Sequence, residues 1–508
     1  MVFHIERANG IPLRDQIKNY LANLIDGGEL KPSTRLPSTR RLARLLGVNR
    51  NTVLAAYEEL EAEGSIDSRA GSGSFVSELQ KMRLKGLDAT VSKPSLFCAC
   101  FARGWADESS GSLLTYAAEH FSPTGTIPFC IATPSRANYP LRDLQNCAWH
   151  AIQTYGTSLF DLGAVEGFRP FLEYLPTFLL RRGIRASAES ILVTNGIQQA
   201  VDLTARILLE PGDTVVMEET SFPGAISIFR SYCANLVGVP VDQDGMCVDA
   251  LERILRQQQP KLIYTIPTFH NPTAAVMALE RRKLLLELAL KYQTPIIEDD
   301  YVNEIRYDNR DIIPLKALDE QGIVIYAATL SKMLLHGIRL GWIVASGPLL
   351  KKLKAAKRVS DIQSNYVMQA VIYEFCRHGK FDHFLKRQIR SNKAKRDILN
   401  AAIRNFFPDV VVPGEVPGGL FQYVELPHTI EATDILAETR RKGVTFFPRK
   451  AFAVRDRDDN GLRLSFAGLE KEQIEQGIEV IGRVLHKTLG HRSRRGLRGK
   501  RIKRSGAR

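Results

Sequence analysis

Ile323-Val324-Ile325-Tyr326-Ala327-Ala328-Thr329-Leu330-Ser331-Lys332 is an apolar, β-branched run that ends on a lysine. A run of that length and composition reads as a buried strand. Five further segments read the same way: 191–194, 214–218, 261–266, 295–299 and 341–345. Helical patterns separate them, and the alternation predicts an α/β domain over residues 127–486 on a largely parallel sheet. Ligands collect at the carboxyl ends of strands in such sheets. Four polar clusters stand at those ends: Asn195-Gly196, His270-Asn271-Pro272, Asp299-Asp300-Tyr301 and Ser331-Lys332. Together they predict one site holding a lysine, acids, an amide and a phenol.

Each of these residue types has a chemical use. A lysine after a buried strand, desolvated and near other cations, favours its neutral amine and can form a Schiff base. Arg339, seven positions on, carries a guanidinium suited to a phosphate. Gly196 opens an expected helix over 198–208, whose first N–H groups can cradle a phosphate. Asp299 can keep a pyridinium nitrogen protonated, which leaves such a ring an electron sink. Tyr301 and Asn271 can then hydrogen-bond a ring oxygen. Singly these cues are weak, and Ser331-Lys332 alone is more often a surface pair. Their order along the chain gives them weight.

At 508 residues the chain is too long for one core, so two or three folding units are expected. Its 44% hydrophobic and 24% charged content is ordinary for globular domains. No apolar run approaches the ~18 residues of a membrane helix, so no membrane partner is expected. Residues 1–6 lack the basic start and apolar stretch of a secretory signal. The seven cysteines are scattered, Cys98 and Cys100 being the one close pair. That pattern predicts free thiols in a reducing cytoplasm and no metal site. The net charge of +14 owes ten Lys/Arg to residues 487–508, which hold no acid and leave +4 for the rest. This basic tail is expected to be disordered, either adding non-specific phosphate attraction or doing nothing.

Ahead of the α/β domain, residues 1–77 have a different grain. Leu13, Ile17, Leu21 and Leu24 predict an amphipathic helix that Gly27-Gly28 ends. Ser38 is a good N-cap for a second helix carrying Leu42 and Leu46, which Gly47 stops. Asn49 caps a third helix with Val53, Ala56, Tyr57 and Leu60 inward, ended by Gly64. Two short helices joined by a tight turn make a helix-turn-helix. Residues 66–76 then read as a hairpin with Ala70-Gly71-Ser72-Gly73 at its tip, the wing. Charge is sorted to match. Residues 31–50 hold Lys31, Arg35, Arg40, Arg41, Arg44 and Arg50 without an acid, and residues 58–67 hold Glu58, Glu59, Glu61, Glu63 and Asp67 without a base. The basic side faces phosphates. Arg50, Asn51 and Thr52 start the helix that meets base edges. With Arg35, Ser38, Arg40, Arg41 and Gly73 they form the expected contacts to a double-stranded operator. Residues 78–126 lack sustained periodicity and read as a linker, either a tether or a stretch containing short helices.

Two resemblances sharpen this. Leu36-Pro37-Ser38, Arg40, Leu42-Ala43, Gly47-Val48, Arg50, Thr52-Val53, Gly71-Ser72-Gly73 and Phe75-Val76 resemble the winged-helix head of GntR-type bacterial regulators. Ser33 after Pro32 departs from the family's usual Pro-Gly. Thr194-Asn195-Gly196-Ile197-Gln198-Gln199-Ala200, Pro211-Gly212-Asp213, His270-Asn271-Pro272-Thr273, Glu298-Asp299-Asp300-Tyr301, Thr329-Leu330-Ser331-Lys332 and Gly337-Ile338-Arg339-Leu340-Gly341-Trp342 resemble fold-type I aminotransferases. Their union resembles the MocR branch of GntR regulators. The resemblance implies a winged helix-turn-helix plus a pyridoxal-phosphate-dependent transferase fold with a smaller C-terminal α+β subdomain.

It also implies that Lys332 carries the Schiff base and Asp299 pairs the pyridinium, with Phe222 stacking on the ring. Asn195, Gly196, Ile197, Asn271, Tyr301, Thr329 and Arg339 complete the expected contacts to pyridoxal 5'-phosphate. Arg463 matches an arginine that clamps a substrate carboxylate, its bland alternative being a strand-edge arginine. Departures are Ile197 for a hydroxyl residue, Ala274 for glycine, His336 for proline and Phe171-Leu172 for Leu-Arg. Phe160 falls near a tyrosine that reaches the neighbouring subunit's phosphate. The implied protein is a cytoplasmic homodimeric transcription regulator. Its body senses the cofactor or an amino compound without physiological turnover. The rival readings are an active aminotransferase with an accessory DNA-binding head, and an architectural DNA binder that has lost the cofactor.

Overall fold

The computed structural model describes residues 12–26, 30–31, 33–69, 73–77, 125–302, 304–308, 310–455 and 459–502. The chain folds as two units, residues 1–101 and 102–508. Almost all of the predicted linker, residues 78–124, lies outside the described residues, as do Gly27-Gly28 and the wing tip at 70–72.

The first unit contains α1 (Leu13–Asp26), α2 (Thr39–Leu46), α3 (Arg50–Ala62), β1 (Ile66–Arg69) and β2 (Gly73–Val76). Ile17, Leu21 and Ile25 of α1 share a core with Val53, Ala56, Tyr57 and Leu60 of α3. Burying one such aliphatic side chain is worth about 1.5–3 kcal/mol, so the pair of stripes holds the head together. Ser38 caps α2 by accepting from the Arg41 N–H at 3.3 Å, and Gly47 ends it in the left-handed region at φ 63°. Asn49 caps α3 by accepting from the Asn51 N–H at 2.9 Å. β1 and β2 pair antiparallel from Ile66↔Val76 to Arg69↔Gly73. The wing gains a third edge that the sequence did not announce: Arg35 bridges Phe75, and Leu36 N–H donates to the Ser74 carbonyl.

In the second unit seven strands form one sheet: β3 (Ile191–Thr194), β4 (Thr214–Glu218), β5 (Asn235–Val239), β6 (Leu262–Thr265), β7 (Ile296–Asp300), β8 (Val324–Thr329) and β9 (Gly341–Val344). Their order is β3-β9-β8-β7-β6-β4-β5. β9 runs antiparallel to both neighbours and the other pairs are parallel. Residues alternate between two cores, Val215 and Met217 with Leu262 and Tyr264 on one face, Val216 with Ile263, Ile296 and Val324 on the other. Burial on both faces explains the unbroken apolar runs in the sequence. The strand missed by pattern, β5, is an edge strand interrupted by Gly238. A Cβ there would lie 2.8 Å from the Glu219 Cα, so close passage of the chain requires glycine.

Helices α4 (Leu141–Tyr155), α5 (Arg169–Leu180), α6 (Ile197–Leu208) and α7 (Pro223–Ser231) precede the middle of the sheet in sequence. α8 (Val248–Gln258) and α9 (Leu279–Lys291) cover its second face, and α10 (Gly347–Ser360), α11 (Tyr366–Arg377) and α12 (Lys380–Phe406) follow β9. The expected smaller subdomain is an antiparallel sheet of β10 (Phe421–Glu425), β12 (Gly461–Ser465) and β11 (Phe447–Pro448), with α13 (Ala432–Arg440) and α14 (Lys471–Ile502). α14 extends to Ile502, into the basic tail that begins at Lys487, and residues 503–508 lie outside the described residues. Ile474, Ile478, Ile481 and Leu485 anchor its first turns in the core, and adding residues to a formed helix costs far less than nucleating one.

Among the described residues no helix is long and apolar enough to cross a membrane, and no group of His, Cys, Asp or Glu could hold a metal. Cys130, Cys147, Cys233, Cys247 and Cys376 are free thiols, while Cys98 and Cys100 lie outside the described residues.

Candidate functional site

Thr329 closes β8, and its hydroxyl builds the turn that presents Lys332. It donates to the Leu340 carbonyl at 2.7 Å and accepts from the Ser331 N–H at 3.1 Å. Gly341, opposite Thr329, is also opposite Thr194 at the end of β3. A Cβ on Gly341 would stand 2.6 Å from the Ala328 carbonyl and 2.9 Å from the Gly196 Cα. That close passage draws the 195–197 turn against the lysine turn. Gly196, at φ 89°, then caps α6, which begins at Ile197, one residue earlier than the sequence pattern placed it. Arg339 is itself left-handed at φ 48° and donates to the Asn195 carbonyl at 2.8 Å. A cation and the open N–H groups of a helix start are thereby set side by side.

The lysine keeps part of its surface exposed. Burial, reinforced by the charges of Arg463 and Arg339 and opposed by Asp299, pushes its ammonium down to about 8. His336, on the same turn, is held down to about 4, chiefly by the Lys332 charge. Asp299 is buried at the end of β7, and burial pushes its carboxyl up to about 7 against the opposing Tyr264 hydroxyl. Tyr264 donates to its Oδ2 at 2.5 Å, while Oδ1 has no partner among the described residues. An unpaired buried carboxylate oxygen is costly. A cationic N–H donor facing Oδ1 would remove the cost and bring the carboxyl back down.

Arg463, on β12, is buried. Its Nη1 donates to Asn271 Oδ1 at 3.0 Å and its Nη2 to the Cys130 carbonyl at 2.9 Å, while Nε is without a partner among the described residues. The rings of Phe421, Phe447 and Phe452 each lie 4.9 Å from its guanidinium carbon. Burial pushes this guanidinium down to about 10. Its strand is the middle one of the three, and the side chain is turned inward against Asn271.

The turns thus bring Lys332, Asp299, Arg339, Gly196, Asn271 and Arg463 into one neighbourhood. Phe222 caps α7 beside Gly224, whose carbonyl accepts from Gln198 in the first turn of α6. Three predicted residues are engaged otherwise than expected. The Asn195 amide donates to Asp361 at 2.7 Å, alongside Gln199 and Lys357, so its side chain is committed away from a phosphate. The Thr329 hydroxyl is spent on the turn. Tyr301 donates to the Phe269 carbonyl at 2.7 Å. Ile197 is buried and offers its backbone N–H. Phe160 is largely exposed after α4.

Sequence reading missed Tyr264, Asp361 and the Cys130 carbonyl. Tyr264 sits mid-strand among apolar residues and reads as core. Asp361 and Cys130 act only through long-range contacts, so local pattern carries no signal for them.

In the head, Arg35, Arg40, Arg41, Arg50 and Asn51 are exposed and Thr52 is half-buried. Arg14 and Lys18 of α1 engage Glu59 at 3.0 and 3.5 Å, and Lys18 reaches Glu63 at 3.0 Å. Arg35, Arg40, Arg41, Arg44 and Arg50 have no acid within 4 Å among the described residues. Glu59 and Glu63 are therefore neutralised by α1, and the arginines, which have no such partner, stay available to phosphates. Ser38 differs from its neighbours: its hydroxyl is occupied as the cap of α2. Gly73, at φ 104°, lies so near Arg35 that a Cβ would meet its Nε at 3.3 Å.

Comparison with known proteins agrees with both halves. The family described as "Aminotransferase class I and II" matches residues 137–481, and "Bacterial regulatory proteins, gntR family" matches residues 13–76. Aromatic-amino-acid aminotransferase 1 of Thermococcus litoralis is 34% identical over 69% of this chain and 86% of its own. The probable rhizopine catabolism regulatory protein MocR of Rhizobium meliloti is 29% identical over 94% of each chain. LysN, the alpha-aminoadipate aminotransferase of Thermus thermophilus solved with N-(5'-phosphopyridoxyl)-L-leucine, superposes with a TM-score of 0.71. It is 28% identical, with 78% of this chain and 99% of that one covered. The chain therefore belongs to the aminotransferase class I and II family and, with its gntR-family head, is a helix-turn-helix transcriptional regulator of the MocR type.

Proposed function

We propose that the body binds pyridoxal 5'-phosphate at Lys332 and that this occupancy, alone or with an amino compound, biases the grip of the head on operator DNA. The observation that carries the reading is Asp299, buried and raised to about 7, with Oδ1 lacking a partner among the described residues. Bound there, pyridoxal phosphate supplies an aldehyde that condenses with amines and a ring that draws off electron density. Lys332 holds an amine that is neutral in a useful fraction near neutral pH. Asp299 Oδ1 accepts the ring N–H. Arg339 and the first N–H groups of α6 hold the phosphate, and Phe222 stacks on the ring. Asn271 flanks the ring oxygen, Tyr301 holds the wall beside it through its bond to the Phe269 carbonyl, and Arg463 takes a carboxylate. Asn195 and Thr329 serve by shaping the turns.

A homodimer would cover exposed large apolar side chains such as Trp149, Phe160 and Leu162, which are 67%, 67% and 77% exposed. Two heads then read two half-sites. Coupling of this kind is typically about 1–3 kcal/mol, and full switching takes roughly 5 kcal/mol of differential binding.

The test is to titrate the full chain with pyridoxal phosphate, following a visible band that borohydride bleaches. In parallel, affinity is measured for duplex from upstream of its own coding sequence. Lys332→Ala should lose the band and the cofactor's effect on DNA affinity while still binding DNA. DNA affinity indifferent to cofactor and to amines would refute sensing. A second reading, transamination, draws on Lys332, Asp299 and Arg463 being kept in one site. Rapid amino transfer to 2-oxo acids, unaffected by removing residues 1–77, would favour it.

A further inference from the structure

Lys357, near the end of α10, is fully buried, a rare place for a lysine unless its charge is paired. Its Nζ donates to both oxygens of Asp361 at 2.7 Å and to the Ser364 hydroxyl at 2.9 Å. Burial pushes the ammonium down, and Asp361 opposes the shift. Asp361 Oδ2 accepts in turn from the Asn195 amide at 2.7 Å and the Gln199 amide at 2.8 Å. Gln199 closes the ring by accepting the Asn195 N–H at 2.8 Å. Asn195 is thereby held from three sides, since its carbonyl accepts from Arg339 at 2.8 Å. A residue fixed at its N–H, carbonyl and side chain leaves the next N–H groups pointing one way. Among the described residues no side chain caps α6, so those groups stay open to a ligand.

The chain is strained just where it supplies Asp361. Ile362 is left-handed at φ 64° and 54% exposed. A β-branched residue rarely adopts that conformation, and an exposed side chain gains little packing to offset it. Bonds on either side impose it: those of Asp361, and those of Gln363, which accepts the Gly163 N–H and donates to the Asp161 carbonyl at 3.5 Å. Strain of this kind persists where its surroundings over-determine it, and it collects at ligand clamps. Charge is arranged to suit an anion as well. A lone carboxylate behind the 195–198 turn would repel a phosphate, and the Lys357 ammonium cancels that field. The turn thus gains the acceptor geometry of a carboxylate without its repulsion.

We propose that Lys357 and Asp361 are positioning residues that make the 195–198 turn a reader of phosphate, so that the body takes a phosphorylated aldehyde in preference to the bare one. This rests on the reading of Lys332 as the amine that condenses with pyridoxal phosphate. Neither residue touches the ligand. Both act through Asn195 and Gln199, and through the Asn195 carbonyl on the direction of the Arg339 guanidinium.

The experiment compares the full chain with Asp361→Asn and with the double variant Lys357→Met/Asp361→Asn, which leaves no lone charge in the interior. Each chain is titrated with pyridoxal phosphate and with pyridoxal, following the band that borohydride bleaches. The readout is the ratio of the two affinities. In both variants that ratio should fall about tenfold or more, while pyridoxal binds nearly as it does to the parent. A merely structural role would weaken both ligands alike and leave the ratio unmoved, and that result would overturn the proposal. Inorganic phosphate supplies a readout without the cofactor. It should raise the thermal midpoint of the parent and raise that of either variant less, whereas equal rises in all three chains would overturn the proposal. If neither aldehyde gives a band in the parent, the reading of Lys332 falls, and the phosphate series still decides the positioning role by the same criterion.

Discussion

The head and the body both depend on cations, and they treat them in opposite ways. Arg35, Arg40, Arg41 and Arg50 are exposed to water, with no acid close by among the described residues. Lys332 and Arg463 are packed into a region where burial pushes them down to about 8 and about 10. An exposed cation acts at range and is screened by salt. A desolvated one acts only on what touches it, and its protonation becomes adjustable. The lesson is that this chain divides recognition into a long-range part for a polyanion and a short-range part for a small reactive molecule. Salt should separate the two. Duplex affinity should fall steeply between low and physiological ionic strength, and affinity for pyridoxal phosphate should change little.

The largest effect that could break the comparison lies in the body. Asp299→Ala removes the acceptor for a ring N–H and should weaken cofactor binding by about 3 kcal/mol or more, a loss of roughly a hundredfold. A dissociation constant within a few-fold of the parent would mean that Asp299 faces no cation. Next in size, Arg50→Ala should cost operator binding about 1–3 kcal/mol if the side chain reads a base. An equal loss on unrelated sequences would make it a phosphate contact.

Third, the pH profile of cofactor uptake should follow the Lys332 amine. Since the ammonium is pushed down to about 8, uptake should be nearly flat above that pH. Below it, the neutral fraction drops about tenfold per unit. Arg463→Gln removes one of the charges that lower it, so the profile should move to higher pH. A profile that does not move would assign the depression to burial alone. The smallest effect sits back in the head. Asn49→Ala deletes the cap that accepts from Asn51 N–H and should cost the head about 1 kcal/mol, read as a lower thermal midpoint.

Much of this was legible beforehand because it is written locally. Caps and stops such as Ser38, Gly47 and Asn49 are single residues with a backbone consequence, and all three fall where the pattern put them. Six of the seven sheet strands were readable because both faces are buried and the apolar runs are unbroken. β5 was not, because Gly238 answers to Glu219, just past the end of β4. The same rule divides the site. Lys332, Asp299 and Arg339 follow from position at strand ends. The redirection of Asn195 toward Asp361, 166 residues away, does not.

By itself, then, the sequence determined two units, a winged helix-turn-helix and an α/β body, and the residue types gathered at the strand ends. Periodicity, capping and charge sorting act over a few residues, so one chain displays them without reference to its fold. Only the tertiary structure decided which side chains are spent on scaffolding, which oxygen of Asp299 is left without a partner among the described residues, and how far each buried cation is shifted. Those quantities depend on what approaches from distant parts of the chain and on how much water is excluded, and neither is a property of any short stretch of residues.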